Sequence, residues 1–185
     1  MPAAADLMTL DQYAVHEDTD ERYVTELVRG MLVQEPRPGG VHGSLQVRLG
    51  RWLSEWADAQ GARVTAESGY ILAQDPPTLR GPDLAIVLDA RSGEGQVGGW
   101  VHGAPDVAIE ILSPSDRSSA IQEKTLDYLA AGARQVWIVD PSARTVTAFE
   151  PSGAARLLRE PDTLAGGVVL PGFSLPLAEL FRDLR

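Results

Sequence analysis

Three charged side chains lie where charge is expensive. Glu110 interrupts the apolar run Val107-Ala108-Ile109-Glu110-Ile111-Leu112. Asp83 opens a second run, Leu84-Ala85-Ile86-Val87, directly behind Gly81-Pro82. Lys124 flanks a helical stripe made by Ile121, Thr125, Tyr128 and Leu129. A carboxylate in a central strand is costly to bury unless it is paired or bound to a cation. An ion pair or a strand-end position accounts for Glu110 as well as a cation does. Turn chemistry accounts for Asp83 taken alone, and a snorkelling stem for Lys124 taken alone. Glu26, in Val24-Thr25-Glu26-Leu27-Val28, has the same character, with an exposed edge hairpin as its plain alternative. His42 stands before a long helix as a candidate metal or phosphate contact. Asp106 shares a strand face with Glu110, but ~13 Å of strand separates them, so it reads as a turn residue.

The elements that must position these groups follow from periodicity. Thr25 to Glu35 reads as a hairpin turning near Arg29-Gly30. His42 to Gln60 reads as an amphipathic helix on Leu45, Leu49, Trp52, Leu53 and Trp56, stopped by Gly61. Arg63 to Ala73, Asp83 to Leu88 and Asp106 to Leu112 read as extended. The last two carry apolar residues at both parities, as strands covered on both faces do. Ser119 to Ala131 reads as a helix, with a Ser119–Gln122 capping box expected at its start and Gly132 at its end. Gln135 to Asp140 and Thr145 to Phe149 read as strands, and the C-terminal part as a short hairpin and a terminal turn at Leu177 to Phe181. Loops are expected at Glu35 to Gly40, Asp75 to Pro82, Ser92 to Gly99 and Pro161 to Gly167. The order predicts an α/β (α+β) fold on a mixed central β-sheet flanked by helices. One domain over residues 1–185 is expected. In such a fold Lys124 returns over the carboxyl end of the Glu110 strand, where sites form in open sheets.

Composition bounds the chemistry. With no cysteine there is neither a disulfide framework nor a thiolate metal site. No run reaches the ~20 apolar residues of a spanning helix, and the N-terminus lacks the pattern of a signal peptide. A cytoplasmic location without membrane contact is the expectation. No histidine pair has zinc spacing. The serines and glycines match neither a nucleophile elbow nor a phosphate loop. The formal net charge of −10 argues against a broad nucleic-acid surface, which carries a basic stripe. It leaves room for a local site where carboxylates hold divalent cations.

An ordered set of segments carries a resemblance. It comprises Tyr23-Val24-Thr25-Glu26-Leu27-Val28-Arg29-Gly30, His42 after a Pro/Gly loop, and Pro82-Asp83-Leu84-Ala85-Ile86-Val87. Ala104 through Ser115, Lys124, Tyr128, Gly132 and Val136-Trp137-Ile138-Val139-Asp140-Pro141 complete it. Together these resemble the Uma-type family of restriction endonucleases, in the PD-(D/E)XK nuclease superfamily, from about Leu10 to Phe181. The resemblance implies a restriction-endonuclease-like fold and an endonuclease dependent on Mg²⁺ (or Mn²⁺) that hydrolyses DNA phosphodiester bonds. Asp83, Glu110 and Lys124 would be catalytic. Asp83, Glu110, Glu26 and the Ile111 carbonyl would be metal ligands, and His42 an additional contact. The superfamily lysine two residues after the second acid is replaced here by Leu112, so Lys124 would be the displaced lysine. Ala120 stands where many members carry an acid. A homodimer would let two sites reach two strands. Arg48, Arg51, Arg80 and Arg117 are placed beside the groove by position alone. The alternative is a nuclease-fold module that binds nucleic acid or protein without cutting.

Overall fold

A computed structural model describes residues 7–17, 20–88, 96–97 and 99–184. The expected loop at Ser92 to Gly99 lies mostly outside these. The elements in order are α1 (Leu10–Ala14), β1 (Tyr23–Val28), β2 (Met31–Pro36), α2 (Gly40–Gln60), β3 (Arg63–Ala66), β4 (Tyr70–Gln74), β5 (Pro77–Arg80) and β6 (Leu84–Val87). There follow β7 (Gln96–Val97), β8 (Trp100–His102), β9 (Val107–Ile111), α3 (Ser118–Ala130), β10 (Gln135–Asp140), β11 (Thr145–Phe149), β12 (Ala155–Arg159), β13 (Thr163–Ala165), β14 (Ser174–Pro176) and α4 (Leu177–Leu180). No helix among the described residues is long and apolar enough to cross a membrane.

The fold is mixed α/β, and twelve strands form two six-stranded mixed sheets where one was expected, while β13 and β14 pair antiparallel as a separate two-stranded sheet. The central sheet runs β12-β11-β10-β9-β6-β3 and the other β2-β1-β5-β4-β8-β7. In the central sheet β9 and β10 are parallel, joined by α3, and the remaining pairs are antiparallel. The extended segment expected at Arg63 to Ala73 divides at Glu67, whose φ of 52° takes the left-handed region. It delivers β3 to one sheet and β4 to the other.

Side-chain parity explains how the central sheet is covered. Val107, Ile109 and Ile111 face α2, whose Leu45, Leu49 and Leu53 join a core continued by Leu164, Leu170, Phe173 and Leu180. Ala108, on the other face, packs with Tyr128 of α3, Val136 and Ile138. Beside them Tyr70 of the second sheet meets Ala85 and Val87. Both faces are therefore buried, as the apolar runs at both parities require.

Helix α2 ends on Gly61 in the left-handed conformation, φ 68°. Helix α3 corrects one expectation. Its N-cap is Arg117 and no side-chain capping bond forms, so Ser119 and Gln122 make no capping box. Ser119 is already inside the first turn, where its hydroxyl cannot take the cap role.

Candidate active site

Two strand mouths and one helix converge on a cleft of about 590 Å³. The register of β6 against β9 pairs Leu84 with Ile109. Carried one residue further, it sets Asp83 opposite Glu110. The register of β3 against β6 pairs Ala66 with Leu84, which sets Glu67 opposite Asp83. Three carboxylates thus form a row across three neighbouring strands at one sheet end. Directly opposite side chains share a face, with Cβ atoms ~5 Å apart. All three line the cleft.

Asp83 is held by both oxygens. Oδ2 accepts from the Ile111 N–H at 2.6 Å, and Oδ1 lies 3.1 Å from His42 Nε2. A residue's N–H and C=O leave a strand on the same side. The Ile111 carbonyl therefore points past the end of β6, toward the cleft that Ile111 lines. His42 is buried at the start of α2, and its Nδ1 has no partner among the described residues. Burial opposes the imidazolium, but the bond to Asp83 and the charges of Asp83, Glu67 and Asp116 hold it above the usual histidine range.

Glu110 is buried in mid-strand. Its Oε1 accepts from the Tyr128 O–H at 2.9 Å, and Oε2 lies 3.5 Å from Lys124 Nζ. Burial pushes the carboxyl up to about 8 against the pull of Lys124, with Asp83 and Glu26 adding to the rise.

Lys124 turns inward and is buried. Its Nζ is 2.7 Å from Glu35 Oε2 and 3.4 Å from Glu26 Oε1, besides Glu110. Burial works against the ammonium, yet Glu110, Glu26 and Glu35 together hold it above the ordinary lysine range. The snorkelling alternative thus does not describe this side chain.

Glu26 lines the cleft with both carboxylate oxygens engaged. Oε2 accepts from Arg80 Nη1 at 2.8 Å and Oε1 from the Gly81 N–H at 3.0 Å. Arg80 is buried and also donates to Asp127 Oδ2 from Nε and Nη2. It therefore stands behind the cleft wall as a counter-ion, which corrects its placement as a flanking cation. Arg48 is corrected too, because its Nη1 donates to the carbonyls of Leu180 and Arg182. Arg51 lines a shallow depression with Arg48, away from the cleft. Arg117 does line the cleft. Asp106 is a structural clamp, accepting from the Leu88 N–H at 3.0 Å.

Three acids lining the cleft escaped the sequence reading: Glu35, Glu67 and Asp116. Glu35 follows an exposed strand pattern, and Glu67 ends an edge strand, so neither breaks an apolar run. Gln46 joins Glu67 to the row: its Nε2 donates to Glu67 Oε1 at 2.7 Å and to the Asp83 carbonyl at 2.9 Å. Glu67 carries no sequence signal beyond its place between a strand and the turn residues Ser68-Gly69.

The donor set suits a hard divalent cation. Glu26, Glu35, Glu67, Asp83, Glu110 and Asp116 line the cleft against Lys124 and Arg117, an excess of negative charge in a partly buried space. Among the described residues no three acidic or histidine side chains gather closely enough to hold an ion by themselves. Mg²⁺ does not require that, since it takes one or two carboxylates, several waters and substrate oxygens. Asp83, Glu110 and the Ile111 carbonyl fit this pattern.

Comparison with known proteins locates the chain. A family model described as "Uma2: Putative restriction endonuclease" matches residues 9–178. A crystal structure described as "a putative nuclease belonging to DUF820 from Anabaena variabilis ATCC 29413" is similar at TM-score 0.80. The two sequences are 24% identical, over 94% of this chain and 97% of that one. At that identity the likeness shows a shared fold. No curated protein matches.

Proposed function

The chain belongs to the Uma2 family, whose model describes a "Putative restriction endonuclease", and from that premise we propose that it hydrolyses phosphodiester bonds of DNA with Mg²⁺ or Mn²⁺. The observation that carries the reading is the meeting of Asp83, Glu110 and Lys124 at one cleft, from β6, β9 and α3. Asp83 and Glu110 would hold the ion, with the Ile111 carbonyl as a third oxygen. A bound divalent ion lowers the pKa of water and neutralises charge on phosphoryl oxygens.

The chain's own residues would do the rest. His42 and the Ile111 N–H orient the two Asp83 oxygens. The Tyr128 hydroxyl fixes one Glu110 oxygen and leaves the other facing Lys124. Glu26, itself anchored by Arg80 and the Gly81 N–H, keeps the Lys124 ammonium charged and near the acid row. From there Lys124 would orient the attacking water or balance charge growing on the phosphoryl group. Loss of a group with that task costs about 10²–10³ in rate.

The test is cleavage of labelled single-stranded and duplex DNA with Mg²⁺ or Mn²⁺ by wild type, Glu110→Ala and Lys124→Ala, beside calorimetry of Mn²⁺ uptake. Cleavage should be lost in both variants, and Mn²⁺ uptake in Glu110→Ala. Equal cleavage by all three proteins would overturn the reading.

A second reading is favoured by one contact. Glu35, not Glu110, is the nearest carboxylate to Lys124, and an ammonium so occupied would suit a fold that binds without cutting. Glu35→Gln separates the two: under the first reading it leaves cleavage intact or faster.

A further inference from the structure

We propose that the cleft takes a single-stranded polynucleotide, gripped by base stacking more than by phosphate contacts. The proposal rests on the nuclease reading only for placing the scissile phosphate at the acid row. Duplex binders draw their sequence-independent affinity from lysines and arginines neutralising phosphates. This chain carries −10 formal charges. Arg48 and Arg80 are spent inside the fold. Among the described residues the lysine and arginine side chains lining the cleft are Lys124, enclosed by Glu26, Glu35 and Glu110, and Arg117, while His42 is taken by Asp83.

The wall holds aromatic rings. Tyr13, Tyr23 and Trp100 all line the cleft and are half-buried. Tyr13 and Trp100 lie with ring centroids 5.5 Å apart, tilted by 38°. The Tyr13 O–H donates to the Thr25 carbonyl, which pins that ring. Trp100 rests against Gly69, where a Cβ would come within 2.6 Å of the indole Cδ1. Any other residue there would displace the indole. Tyr23 carries the Arg22 guanidinium over its ring, 5.7 Å from the centroid. Arg22 is itself held flat by both oxygens of Asp20. Arg37, outside the cleft lining like Arg22, donates its N–H to the Arg22 carbonyl at 2.9 Å and its Nε to the Glu21 carbonyl at 2.6 Å. Rigid rings interleaved with guanidinium groups are what single-strand binders present, because every base has a face to stack. A cleft of 590 Å³ has the size of a small-ligand pocket, room for roughly one or two nucleotides.

The experiment is fluorescence anisotropy of the full chain with fluorescein-labelled oligo-dT, oligo-U and a blunt DNA duplex of the same length, in Ca²⁺. One or both single strands should bind about tenfold or more tighter than the duplex, and whichever of oligo-dT and oligo-U binds tighter identifies the sugar. Tyr23→Leu should weaken that binding about tenfold, and Tyr23→Phe should restore it. Duplex binding as tight as single-strand binding, no binding to any probe, or a folded Tyr23→Leu that binds like wild type would each overturn the proposal. Should Tyr23→Leu fail to fold, the strand preference of wild type decides alone. Single-strand binding without cleavage in Mg²⁺ or Mn²⁺ would sink the nuclease reading and leave this one standing. Glu110-dependent cutting of duplex alone would do the reverse.

Discussion

Two helices cover opposite faces of the central sheet, and they bury different chemistry. Helix α2 presents Leu45, Leu49, Leu53 and Ala57, with His42 alone among them as a polar group. Helix α3 buries Lys124, Thr125 and Tyr128. The α2 side obeys the ordinary rule that a packed face is apolar, and each leucine there contributes about 1.5–3 kcal/mol by leaving water. The α3 side violates the rule at the point where the sheet end opens into the cleft. A buried ammonium among three carboxylates is weak evidence for stability, because desolvation offsets most of the Coulombic gain. Its presence fits the proposed site, which would need charge held in place.

The largest effect is expected at Lys124. Lys124→Met should lower cleavage about 10²–10³-fold. It should also destabilise the fold by about 3–5 kcal/mol, since Glu26, Glu35 and Glu110 lose their shared cation. Urea denaturation in EDTA reads the second effect, and a melt indistinguishable from wild type would show that the carboxylates do not depend on the ammonium.

Leu49→Ala makes the matching cut on the apolar side. It should cost about 2–5 kcal/mol by leaving a cavity, while cleavage per folded molecule stays at the wild-type level. A large loss of specific activity would mean that α2 does more than support the sheet.

Glu110 sharpens the contrast through pH. Its carboxyl is raised by burial to about 8, against an unfolded value of about 4.3. Between those values the folded state binds more protons than the unfolded one, so stability falls as pH rises through that window. In EDTA, Glu110→Gln should be the more stable protein at pH 8, and the two should converge toward pH 4. Parallel stability curves for the two proteins would contradict this.

The smallest effect is expected at Ser119, outside both packed faces. With no capping bond formed, Ser119→Ala should change stability by no more than about 0.5 kcal/mol. A loss near 1 kcal/mol in thermal melting would indicate that the hydroxyl caps the helix in solution.

Much of this architecture is legible in the sequence. The α2 stripe differs from the observed helix by two residues at its start, and the β9 and β10 runs fall within one or two residues of the observed strands. Glu110 and Lys124 drew notice as charges beside apolar residues. The second sheet was not legible, because β4, β5 and β8 are short and pair with segments far away in sequence. Arg80 misled for a related reason: an arginine at a strand end looks exposed until its carboxylate partners, here Glu26 and Asp127, are known.

By itself the sequence determined the local elements and the charged exceptions within them, since periodicity, turn residues and a charge in an apolar run are all visible in one dimension. The tertiary structure alone decided which acids meet. Strand register placed Glu67, Asp83 and Glu110 in one row, and an exposed hairpin brought Glu35 to a lysine 89 residues away. Register is set by pairing between distant segments, and a slip of one residue would turn each of these carboxylates to the opposite face.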